Sequence, residues 1–167
     1  MALRASPKAQ KNGFERQEDV RKILAEHHHP DWVDTRSLLK PQPGENINLL
    51  ERRAGDLTNT TTGHRMEVQT VETPSDHVSW KRSKYRESTA QWQCFVYELK
   101  NGKMFALVIE TDVLKDNLGP LDKIDWVTSD RNGNSIRDPF VNLWHVALRK
   151  MGAIGLMEWC QKHRQNV

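Results

Sequence analysis

Cysteine is scarce in this chain: there are two, Cys94 and Cys160, in 167 residues. They lie far apart and in no metal-like spacing. That argues against a disulfide scaffold and fits the reducing cytoplasm as the expected location. Long hydrophobic runs are missing as well. No stretch approaches the roughly 18 to 20 apolar residues a membrane-spanning helix needs, and the opening MALRASPKAQKNGFERQ has no apolar core of signal-peptide length. There is no internal repeat and no long low-complexity segment. Charge of one sign is in small excess: the net charge is +3 and the sequence pI about 8.9. This permits a nucleic-acid partner without demanding one. What is present is a polar chain, 37% hydrophobic and 28% charged with mean hydropathy -0.76. Its length suits one domain with a real hydrophobic core.

The patterning predicts a flexible basic arm over residues 1–12 and one domain over 13–167. A helix should start near Asn12 or Gly13. In FERQEDVRKILAE, Phe14, Val20, Ile23 and Leu24 share one stripe, with acids early and basic residues late. It should end before Pro30, leaving His27, His28 and His29 exposed at its end. The prolines at 30, 41 and 43 make 30–46 a loop. INLLERRAGDL (47–57) suits a strand leading into Asp56. In HRMEVQTVE (64–72), Met66, Val68 and Thr70 alternate with Arg65, Glu67, Gln69 and Val71, a strand pattern. The segment after Pro74 reads as a helix, with Ser75 or Asp76 as N-cap and Trp80, Tyr85 and Trp92 as packing residues. Asn101-Gly102 between two apolar runs signals a hairpin. Residues 115–139 read as loop, and 139–165 as helix broken at Gly152 and Gly155. The expected class is an α/β or α+β domain around a mixed sheet flanked by helices.

The stretch GDLTNTTTGHRMEVQ carries the chemistry. A hairpin whose turn lies in Thr60–Gly63 makes Asp56 and Glu67 cross-strand partners, with Cβ atoms about 5 Å apart. Like charges there repel, and a divalent cation between them removes the objection. Gln69 lies on the Glu67 face, and the Val68 carbonyl between them can also reach a metal. Two carboxylates and a carbonyl are hard oxygen ligands, which suits Mg2+. The plainer alternative is a polar hairpin face with no ligand.

Asp, a hairpin, then Glu-x-Lys on the next strand is the signature that Asp56 and Glu67-Val68-Gln69 resemble: the PD-(D/E)XK nuclease superfamily, with Gln69 in place of the Lys. Gly55 stands where that superfamily often has Pro. The helix GFERQEDVRKIL resembles the first helix of archaeal Holliday-junction resolvases, which implies Glu15 as a further active-site acid. The resemblance covers about residues 12 to 112 and implies a restriction-endonuclease-like fold. It also implies phosphodiester hydrolysis with Mg2+, or Mn2+ as substitute, on Asp56, Glu67 and the Val68 carbonyl. Where the family uses Lys to stabilise developing charge, Gln69 offers only a neutral amide. A second metal, or Lys81 or Lys84 from the next helix, then has to compensate.

The basic cluster WKRSKYR places Lys81, Arg82, Lys84 and Arg86 where they can neutralise DNA phosphates; plain solubility is the other reading. The expected function is a Mg2+-dependent DNA endonuclease, structure-selective or of low specificity, acting as a homodimer. The rivals are a restriction-type enzyme reading bases through the 30–46 and 115–139 loops, a non-catalytic DNA-binding protein on the same fold, and an accessory protein with no DNA role. Neither cysteine has a clear His partner, so both read as packing residues. Asp130, Asn132 and Asn134 have a calcium-loop rhythm without the closing carboxylate, which reads as a turn.

Overall fold

Asn101 and Gly102 do turn the chain back on itself. Gly102 has φ +87, Leu99 N donates to Lys103 O at 2.8 Å, and Lys103 N donates to the Asn101 side chain. The computed structural model describes residues 9–47, 50 and 54–164, with side chains from Glu15 onward. The turn joins β5 (Trp92–Glu98) to β6 (Met104–Glu110), paired antiparallel along their whole length. Around them lie β1 (Trp32–Asp34), β2 (Leu57–Asn59), β3 (Arg65–Thr70) and β9 (Ile154–Gly155), in the order β1-β2-β3-β5-β6-β9. Among the described strands only β3 and β5 pair in parallel, so the sheet is mixed. A second, antiparallel sheet has the order β4-β8-β7, from β4 (His77–Lys81), β7 (Val127–Ser129) and β8 (Ser135–Trp144).

The alternation of side chains along β3 and β5 sorts the core into two layers. Met66, Cys94 and Val96 face α1 (Ala9–His27) and α5 (Leu156–Lys162), packing with Val20, Leu24 and Trp159. Phe95, Tyr97, Leu107 and Ile109 face the other way. There they meet Val78 and Trp80 of β4, Leu114 of α3 (Thr111–Leu118) and Leu148 of α4 (His145–Lys150). The Tyr97 hydroxyl donates to the Leu143 carbonyl at 2.8 Å, tying the second sheet to the first. Both cysteines are free and buried as packing residues, and burial raises both thiol pKa values. No helix among the described residues is long and apolar enough to cross a membrane.

Several local expectations need correction. The first helix starts at Ala9, inside the arm expected over 1–12; residues 1–8 lie outside the described residues. Within 47–57 the strand begins only at Leu57, and residues 48–49 and 51–53 lie outside the described residues. The segment after Pro74 is not one helix. His77–Lys81 is a strand whose buried residues, Val78 and Trp80, alternate with more exposed ones, and the helix α2 covers only Arg82–Glu87. Ser75 does not cap a helix; its hydroxyl accepts from His77 N in a tight turn. Residues 135–144, expected as loop and then helix, form the ten-residue β8. Its Pro139 sits beside an irregularity in the β7–β8 ladder, where a missing N–H is tolerated.

The histidines at the end of α1 are not all exposed. His28 is buried, accepts at Nδ1 from Trp32 Nε1 at 2.8 Å, and donates from Nε2 to the His163 carbonyl at 2.9 Å. These two bonds fix a neutral ring, and burial lowers its pKa. His29 is also buried.

Candidate active site

The hairpin has the register expected from the sequence. Leu57 pairs with Met66 and Thr58 with Arg65; the ladder stops there, and the same register carried one residue further sets Asp56 against Glu67. Gly55, at φ +99, turns the chain out of the ladder just before Asp56. A side chain there would also meet the Ala90 Cβ at 3.1 Å. Glycine is therefore required twice over at this position.

Asp56 is held at several points. Its N–H donates to the Met66 carbonyl at 3.1 Å and its own carbonyl accepts from Thr35 N at 2.9 Å. Its Oδ2 accepts from Val68 N at 2.7 Å. The side chain thus takes the place of the ladder carbonyl where β2 leaves β3. A strand residue directs its N–H and C=O to the same neighbour in an antiparallel ladder. The Val68 carbonyl therefore lies on the Asp56 side of β3, on an edge that β2 no longer covers.

Glu67 points to the opposite face from Met66 and is fully buried. Its Oε2 accepts from Lys84 Nζ of α2 at 2.8 Å and, at a long 3.4 Å, from Gln69 Nε2. Oε1 is buried without a donor. Burial first, and the Asp56 carboxyl next, push the Glu67 pKa up to about 8, while Lys84 pulls it down. Two ionised carboxylates offer each other only acceptors. The pair is satisfied when a proton is shared or a cation lies between them. Two carboxylates, one of them fully buried, and a neighbouring backbone carbonyl are hard donors of the kind Mg2+ takes. Among the described residues, no three His, Cys, Asp or Glu side chains converge on a common centre. The remaining ligands would have to be water or substrate.

The other expected site residues divide. Lys84 comes to Glu67, whereas Lys81, Arg82 and Arg86 line a separate groove on α2. Glu15 is half-buried on α1, the helix packed on the Met66 face, away from the face that Glu67 occupies. Asp130 accepts from Asn132 N and Asn134 N, in the turn expected there. Sequence reasoning missed Gln93. It pairs in register with Glu67 on β5, is fully buried, and donates to Thr111 Oγ at 3.1 Å, while its own Oε1 has no partner. The only trace in the sequence is a glutamine opening an apolar strand.

No protein-family model, no curated protein and no solved structure matches the chain.

Proposed function

We propose that the chain is a Mg2+-dependent endonuclease that hydrolyses DNA phosphodiester bonds on a restriction-endonuclease-like fold. The observation that carries this reading is the Lys84–Glu67 contact at 2.8 Å, opposite Asp56 across the hairpin. A lysine from the following helix reaches the carboxylate beside which the strand offers only Gln69. Asp56, Glu67 and the Val68 carbonyl would hold the ion, with Mn2+ able to substitute. Bound there, it would polarise the phosphate and lower the pKa of the attacking water.

The chain's own residues supply the rest. Lys84, 18% exposed, stands beside the pair, where it can hydrogen-bond a phosphate oxygen and stabilise its developing charge. The Gln69 amide can orient a water. Hydrolysis adds that water across one P–O ester bond and leaves a hydroxyl and a phosphomonoester. A role for Glu15 is implied by the resemblance alone, since its helix packs the other face of the sheet; Glu15→Ala tests that role separately. A homodimer would bring two such centres to two strands, and sedimentation measures it. The cleavage proposed is structure-selective or of low specificity, with a restriction-type enzyme as the alternative.

One observation favours a second reading, a non-catalytic DNA-binding protein: Glu67 already has Lys84 as a partner at 2.8 Å, as it would in a site that has lost its metal. The test is cleavage of linear duplex, supercoiled plasmid, single strand and a four-way junction in Mg2+ or Mn2+. Metal-dependent cutting lost in Glu67→Ala supports the nuclease. No cutting by folded protein, together with salt-sensitive binding, supports the second reading.

A further inference from the structure

Helix α2 has a second charged face. Arg82 and Arg86 lie two places before and two after Lys84, so they leave the helix on the side opposite Glu67. Together with Lys81 and with Arg137 from β8, they line an open groove of about 550 Å3. Two carboxylates, Glu87 and Asp138, also line it. Asp138 Oδ2 is already occupied by Ser83 Oγ at 2.8 Å, a bond that clamps α2 to β8. Four cations thus stand against two acids on a surface that two elements build jointly.

We infer that this α2–β8 groove seats backbone phosphates of the DNA strand beside the cleavage centre, with Arg137 as a binding residue the basic cluster alone does not include. The inference rests on the nucleic-acid reading above and adds where the flank of the substrate lies. The groove and the Glu67–Lys84 pair lie on opposite sides of α2, about one helix diameter, roughly 10 Å, apart. Seated phosphates would therefore flank the scissile one rather than coincide with it. The contacts are to backbone, so they should not distinguish sequences.

The experiment measures binding without chemistry. Fluorescence anisotropy of a labelled DNA duplex is followed over a salt series in the Glu67→Ala background, with no divalent metal. Each cation that neutralises a phosphate contributes about 0.9 to the slope of log K against log salt. Arg137→Ala should lower that slope by about 1, and the Arg82→Ala/Arg86→Ala pair by about 2, equally for unrelated sequences. All three residues are at least partly exposed, and circular dichroism checks that the variants remain folded. Slopes and affinities unchanged in both variants would overturn the groove even if the wild type cuts DNA. Lowered slopes with a wild type that never cuts would support the groove while the nuclease reading fails. No salt-dependent binding by any form would overturn both.

Discussion

Replacing Glu67 by Gln should stabilise the metal-free protein, and by an amount that depends on pH. The Glu67 carboxyl is fully buried, and its pKa is pushed from the ordinary 4.5 to about 8, by burial and then by Asp56. Each unit is worth about 1.4 kcal/mol, so ionising Glu67 in the folded state costs roughly 4 to 5 kcal/mol. A carboxyl that holds its proton more tightly when folded contributes stability at acidic pH. That contribution is complete below 4.5, declines as pH rises, and is gone above about 8. The amide introduced by Glu67→Gln cannot titrate. The variant and the wild type should therefore unfold similarly near pH 5 and diverge by roughly 4 kcal/mol near pH 9, the variant being more stable. For a domain whose whole stability is about 5–15 kcal/mol, such a difference is easily resolved in urea titrations. Saturating Mg2+ should narrow the gap by stabilising only the wild type, about 2.7 kcal/mol at a hundredfold excess over Kd. A difference that stays flat from acid to alkaline pH would refute the reasoning: Glu67 would then not be a buried titrating acid poised for a cation.

Other perturbations separate the parts of the site and the fold. Lys84→Ala should lower single-turnover cleavage by about 10²–10³, the loss typical of one charge-stabilising donor, while Gln69→Ala should cost less than about tenfold, because its amide lies 3.4 Å from Glu67; a larger loss at Gln69 would reverse these roles. Gly55→Ala should destabilise the protein by about 1–2 kcal/mol through its left-handed backbone, and more if Ala90 cannot yield; calorimetry reading no change would contradict the tight turn. His28 is held neutral, with its pKa below 6.5, so its contribution to wild-type stability should be complete above that pH and fall as pH drops below it. His28→Phe should flatten that fall, and an unchanged acid limb would remove His28 as its source.

The candidate site was the most legible part of the sequence because its geometry is local. A turn of Thr, Asn and Gly fixes the register, and register alone sets Asp56 against Glu67. The Asn101-Gly102 hairpin was readable for the same reason. What failed depended on distant partners. Residues 77–87 carry both a two-residue alternation, Val78 and Trp80, and helix-forming residues after it, so the pattern suggests one helix where a strand and a short helix stand. That ambiguity hides which of the clustered cations turns inward: Lys84 does so because β4 ends at Lys81 and sets the start of α2. The long β8 was hidden by Arg137, Asp138 and Pro139, residues that depress strand propensity but are tolerated where the ladder is irregular. His28 looks like an exposed helix end, yet its partner is the carbonyl of His163, 135 residues away.

The most direct test of the central claim is metal-dependent DNA cleavage by the wild type against Glu67→Ala, on duplex, supercoiled, single-stranded and four-way-junction substrates. The nuclease account expects cutting by the wild type in Mg2+ or Mn2+, none in chelator, and none by the variant. Cutting that persists in folded Glu67→Ala, or its absence from wild type on every substrate, would contradict it.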